Sequence, residues 1–200
     1  MNIVLLAAGT SSRMGKTNKL LLPCNNLTMV ANSSLEALKF LESQKQEGRL
    51  IVVTGYRHLQ TQKALKPCID YVEQTASPIE LIIVRNKDYR KGQFSSARTG
   101  VAEVEIGSPF FIQLADMPLI KAEHYTALLK HLNGHDAVRP FVKGIPGHPV
   151  LLSESIKKKI LKEPDDSSVS KILKMCNVAE VELFDTAYIK DVDTPEDLNA

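Results

Sequence analysis

Four largely apolar runs set the architecture of this chain. Ile3 to Ala8 comes first and ends at Gly9-Thr10-Ser11-Ser12; Leu50–Thr54, Leu81–Val84 and Phe110–Ala115 follow. Runs that are apolar on every residue suit central parallel strands covered on both faces. Between them the spacing turns helical. Met29 to Leu41 puts Val30, Leu35, Leu38 and Leu41 on one side, and Ile120 to Leu132 does the same with Tyr125, Leu128, Leu129 and Leu132. Strands alternating with helices predict an α/β protein with right-handed crossovers and a mostly parallel sheet. In such sheets ligands bind beyond the carboxyl ends of the strands. Gly9–Arg13, Thr54–Tyr56 and Asp116–Pro118 each follow a predicted strand and should line one crevice.

The final third is less regular. Asp136–Phe141 and Gly147–Leu152 read as two strands joined through the Pro140 to Pro146 turn region. Ser153–Leu161 and Ser167–Met175 read as helices, and Val178–Leu183 as another strand. Thr194-Pro195-Glu196-Asp197 has the pattern of a helix start, with Thr capping and Pro at the first helical position.

Two hundred residues, 44% of them hydrophobic, allow one globular domain over 1–200 with a sizeable core. Lys+Arg at 25 against Asp+Glu at 23 gives no reason to expect nucleic acid or an anionic membrane as partner. Cys24, Cys68 and Cys176 are far apart, odd in number and without metal-ligand spacing, as expected of reduced cytoplasmic thiols. The opening apolar run lacks a basic leader and is too short for a signal peptide or a membrane span.

Candidate chemistry begins with Leu6-Ala7-Ala8-Gly9-Thr10-Ser11-Ser12-Arg13-Met14-Gly15, followed by Lys19-Leu20-Leu21-Leu22-Pro23. Inward-turned N–H groups of a glycine loop make an anion-binding concavity. Ser11 and Ser12 can add hydroxyls, Arg13 a planar fork suited to phosphate, and Lys19 a compact charge. Neither the P-loop nor the dinucleotide fingerprint is present. Further along, Asp116 in Leu114-Ala115-Asp116-Met117-Pro118 follows a buried strand, where a carboxylate serves as a helix cap or a Mg²⁺ ligand. Asp191 and Asp193 in Asp191-Val192-Asp193-Thr194-Pro195 share a face if extended. Gly92-Gln93-Phe94-Ser95-Ser96 offers free helix N–H groups beside hydroxyls.

These segments together resemble the MobA-like nucleotidyltransferases, from Asn2 to Leu198. Ala7-Ala8 before Gly9 is similar to the cytidylyl-transferring branch, the molybdenum cofactor cytidylyltransferases. The resemblance implies a three-layer Rossmann-like nucleotidyltransferase fold and transfer of a nucleotide to a phosphorylated acceptor with loss of pyrophosphate. It implies CTP as donor, molybdopterin as acceptor, a molybdoenzyme as eventual recipient, and a sugar or polyol phosphate as the alternative acceptor. Catalysis would fall to Lys19, Arg13 and Asp116. Leu6, Ala7, Ala8, Gly9, Ser11, Ser12, Thr54, Gly55, Gly92, Ser95 and Ser96 would bind nucleotide beside Arg13 and Lys19. Asp116, Asp193 and Asp191 would hold Mg²⁺. Gly147 and His148, in Gly144-Ile145-Pro146-Gly147-His148-Pro149-Val150, would face the acceptor. The chain departs from the family pattern at Glu163 to Val169, where two glycines and an arginine are missing, and at Asn25-Asn26, which replace a common glycine pair.

Overall fold

In the computed structural model, residues 1–10 and 18–192 are described. Strand β1 (Asn2–Ala7) lies mid-sheet, flanked by β4 (Gly48–Thr54) and β6 (Phe110–Leu114), both parallel to it. Beyond β4 comes β5 (Ile79–Arg85). Beyond β6 come β9 (Val150–Leu152), β7 (Ala137–Val142) and β10 (Val178–Glu182). The short β8 (Ile145–Pro146) pairs with β7 off this path. β9 runs antiparallel to both its neighbours, while β10 is parallel to β7. The sheet is therefore mostly parallel, as the apolar runs predict.

Alternation along each strand feeds two cores. Ile3, Leu5, Leu50, Val52 and Phe111 face one side with α1 (Met29–Ser43), α3 (Lys66–Gln74) and α5 (Ala122–Leu129). Val4, Leu6, Ile51, Val53, Phe110 and Ile112 face the other with α4 (Gln93–Ala102), α6 (Glu154–Lys162) and α7 (Val169–Leu173). Three layers result. The first core centres on Phe40, Phe111 and Tyr125. Phe111 meets the other two rings edge-on, at 5.6 Å and 5.1 Å. Truncating such a buried ring costs roughly 3–5 kcal/mol.

Local chemistry explains the joints. Thr28 Oγ1 accepts from the Ala31 N–H and starts α1. Asn25 and Asn26, at φ 50 and 66, form the left-handed turn between β2 (Pro23–Cys24) and β3 (Leu27–Thr28), so asparagine does there what glycine would. Two helices escaped the periodicity: α2 (His58–Ala64), whose only fully buried residue is Thr61, and α3, which carries a proline in its first turn. The 120–132 helix is shorter than expected, since Ile120 and Leu132 belong to flanking turns. The expected helix start at Thr194 lies outside the described residues. Among those described, no helix is long and apolar enough to cross a membrane.

Candidate active site

The carboxyl ends of β1 and β6 open onto two adjoining cavities that share Leu6, Gly92 and Gln93 as a common wall. The first, of about 390 Å³, is lined by Ala8, Gly9, Thr10, Lys19, Leu20, Tyr89, Arg90, Ser96 and Asp116 besides that wall. In it Lys19 Nζ lies 2.6 Å from Asp116 Oδ2, with both side chains mostly buried. Residues nearly a hundred positions apart thus converge on one point.

Each partner is held by a distinct device. Lys19 opens a single 3₁₀ turn (Lys19–Leu21) that Asn18 caps, its Oδ1 accepting from the Leu20 N–H, while the Leu20 side chain is buried. Asp116 follows β6 in a loop whose carbonyls from Ala115 to Pro118 are engaged. Ser33 Oγ and Asn32 Nδ2, both on α1, donate to the carbonyls of Ala115 and Pro118 at 3.0 Å. The Val192 N–H donates to the Asp116 carbonyl at 2.8 Å, which brings the neighbouring Asp191 to the Asp116 loop. Val192 itself is buried and Asp191 exposed.

The entry of α4 forms the floor between the cavities. Gly92 has φ 108 and ψ 177, a conformation essentially restricted to glycine. Asn86, buried, donates through Nδ2 to Ser95 Oγ at 2.8 Å and Ser96 Oγ at 3.0 Å. Ser95 Oγ in turn donates to the backbone carbonyls around it, so this serine organises the turn while Ser96 reaches the cavity wall.

The second cavity, of about 280 Å³, descends onto the face of β6, β9 and β7, with His148 and Arg139 on one wall and residues 165–170 on the other. His148 keeps some exposure, yet the packing around its ring pushes its pKa down to about 4, against help from the Ile112 carbonyl. Gly147 supports it from behind. A Cβ there would sit 2.3 Å from the Tyr188 carbonyl oxygen, and the His148 N–H donates to that same oxygen at 2.8 Å. The facing loop is tied down by charge. Asp165 pairs with Lys91 at 3.2 Å and with Arg98.

Of the residues expected at the site, Leu6, Ala8, Gly9, Lys19, Gly92, Ser96 and Asp116 meet at one cavity, and His148 stands in the next. Several others do not line either. Ala7 faces the core. Thr54 is fully buried, its hydroxyl bonded to the Val84 carbonyl and His58. Gly55 gives close approach to Tyr89 and Ala8, not to a ligand: a Cβ there would lie 2.6 Å from Tyr89 Cβ. Ser95 and Gly147 brace backbone. Ser11, Ser12, Arg13 and Asp193 lie outside the described residues. Residues the motifs did not point to are Asn32 and Ser33, whose signal is a polar side chain inside an apolar face, Asn86, which lies in the polar stretch Arg85 to Asp88 and carries no such signal, and Arg139, polar within a strand. Among the described residues no cluster of three or more potential metal-binding side chains forms.

The profile of the MobA-like NTP transferase domain matches residues 3–182. The chain belongs to this family. It is 30% identical over 197 residues to the molybdenum cofactor cytidylyltransferase of Escherichia coli (strain K12), covering 98% of this chain and 93% of that protein. The fold is similar to a nucleotidyl transferase from Methanothermobacter thermautotroptrophicus, with TM-score 0.77, 19% identity, and 98% and 93% of the two chains covered. It is also similar to Rv0371c of Mycobacterium tuberculosis H37Rv in complex with manganese, with TM-score 0.66, 17% identity, and 99% and 95% covered. This MobA-like protein is a nucleotidyltransferase.

Proposed function

We propose that the enzyme transfers the cytidylyl group of CTP to the phosphate of molybdopterin, releasing pyrophosphate. The observation that carries this reading is the contact of Lys19 with Asp116 inside a cavity entered by the β1 glycine loop. The identity to the Escherichia coli cytidylyltransferase supports the choice of base and acceptor.

The acceptor's phosphate oxygen attacks the α-phosphorus in line, a new P–O bond forms, and the α–β bridge breaks to free pyrophosphate. An acceptor phosphate is already largely ionised near neutral pH, so neither a protein nucleophile nor a dedicated base is needed. Lys19 balances charge on the triphosphate, helped by Arg13, and backbone N–H groups of the Gly9 loop cradle its oxygens. Gly92 and Ser96 border the nucleotide from the α4 side. His148, neutral at working pH, offers the acceptor a hydrogen bond without charge.

Asp116 fits a divalent ion. Its carboxylate already faces an ammonium at 2.6 Å, hence a place that selects positive charge, and Val192 brings the acidic Asp191 segment beside it. Asp116, Asp193 and Asp191 are the side chains that would hold Mg²⁺, which when bound supplies charge neutralisation and orientation of phosphate oxygens.

A sugar or polyol phosphate is the second reading, favoured by the carboxylates and hydroxyls of Asp165, Asp166, Ser167 and Ser168 on the acceptor cavity. Pyrophosphate release from CTP, GTP and ATP with Mg²⁺, with molybdopterin or a polyol phosphate, decides. Release needing both CTP and molybdopterin is expected. Release with CTP and the polyol phosphate alone would replace molybdopterin by the second reading.

A further inference from the structure

Arg139 sits on β7, in the wall of the acceptor cavity beside His148. Its Nε is sealed from solvent and makes no hydrogen bond among the described residues. Among the described residues its guanidinium makes no ion pair. Glu180, opposite it in the β10 register, adds a favourable field but no contact. Burial outweighs that field and works against the charge, lowering the pKa of a group that is nonetheless always protonated. Asp165 across the cavity is already engaged by Lys91 and Arg98. Asp166 is exposed at the rim and does not reach the guanidinium.

A half-buried cation left unsatisfied costs free energy, and a chain that keeps one in a cavity wall does so for something outside its own fold. A guanidinium offers a planar fork of donors that matches an oxyanion in two contacts. Its place matters too. Arg139 shares the sheet face of Ile112 and Val150, below the strand ends where Asp116 stands, so what it holds reaches down into the acceptor cavity.

We infer that Arg139 grips a negatively charged oxygen group of the acceptor and thereby sets which phosphorylated acceptor enters. This rests on the nucleotidyl-transfer reading above and deepens it, turning a general acceptor cavity into one with a defined anion contact.

The test compares full-length wild type with Arg139→Met and Arg139→Lys. With CTP and molybdopterin, Arg139→Met raises the acceptor KM on the order of 10- to 100-fold and leaves the CTP KM within about twofold, as expected for loss of a charged hydrogen-bond pair. Arg139→Lys recovers part of the loss. The ligand-free Met variant melts higher by roughly 2–4 °C, because an unpaired cation has been removed. A molybdopterin KM within twofold of wild type overturns the assignment. So does a lower melting temperature, the mark of a structural link to Glu180. If wild type turns over no phosphorylated acceptor, the acceptor reading fails separately, and a thermal titration with inorganic phosphate at saturating CTP decides for Arg139. Stabilisation of wild type but not of Arg139→Met supports the anion contact. Equal stabilisation overturns it.

Discussion

The two cavities are neighbours built by opposite means. Around Lys19 and Asp116 the walls come from the ends of elements: Gly9 and Thr10 after β1, the single turn at Lys19–Leu21, the start of α4, and a loop whose carbonyls are bonded on both sides of the aspartate. Around His148 and Arg139 the walls come from side chains on the faces of β6, β9 and β7 and from a loop held by surface ion pairs. A triphosphate demands fixed N–H groups and fixed charge, because every nucleotide presents the same phosphates. An acceptor demands shape, which side chains can change without moving the fold. The difference teaches where this enzyme resists substitution and where it can be retuned.

The sharpest break would come at the donor side. Asp116→Asn should lower kcat on the order of 10³-fold with circular dichroism unchanged, since the carboxylate proposed to hold the metal and to place charge is lost. A rate within tenfold of wild type would show that the donor cavity has been misread.

Next comes a backbone test of the acceptor side. Gly147→Ala drives a methyl into the Tyr188 carbonyl, now 2.3 Å from the ideal Cβ position, and neither backbone can yield easily. A loss of roughly 2–4 kcal/mol in denaturant unfolding is expected, by the scale of overpacking plus a broken Tyr188–His148 hydrogen bond. Unchanged stability would mean that the acceptor wall is as soft in backbone as in side chain.

A pH comparison sharpens the same wall. His148 has its pKa lowered by burial from 6.5 to about 4. Between those values the unfolded chain takes up a proton that the folded one refuses, so stability falls as pH drops from 6.5 to 4 and rises again on return. The contribution is at most about 3 kcal/mol, less in proportion to the ring's residual exposure. His148→Gln should flatten that part of the stability curve, read by urea melts at pH 4, 5.5 and 7. A parallel slope in both proteins would remove His148 from the list of desolvated groups.

The smallest effect belongs to the loop. Asp165→Ala breaks exposed pairs with Lys91 and Arg98, for a cost under about 1 kcal/mol, reduced further by salt. Acceptor KM should move more than stability does, since this loop faces the cavity. A change in CTP KM instead would mean that Lys91, next to Gly92, transmits the loop's position to the donor side.

Much of this could be read from the chain alone. The four apolar runs became β1, β4, β5 and β6 because a strand covered on both faces leaves little room for polar side chains, Gln113 and Thr54 being the buried exceptions. Gly9 and Asp116 were readable as positions just past strand ends, where the chain must leave the sheet, and Lys19 as a charge close behind; the fold brings the three to one cavity. Asn25 and Asn26 were readable as left-handed positions for the same local reason. Gly55 and Gly147 were readable as tight places, but not what they are tight against.

Tertiary structure alone decided the rest. That Asn32 and Ser33 hold the Asp116 loop depends on α1 packing beneath β6, more than eighty residues away in sequence. That β9 runs against its neighbours depends on pairings that no local pattern encodes. That Arg139 makes no ion pair among the described residues depends on what surrounds it, and an arginine in a strand looks the same in sequence whether it meets water, an acid or the wall of a cavity. Local propensity and chemical type travel with the residue. Burial, partnership and electrostatic cost belong to the assembled neighbourhood, and exist only once the chain has folded.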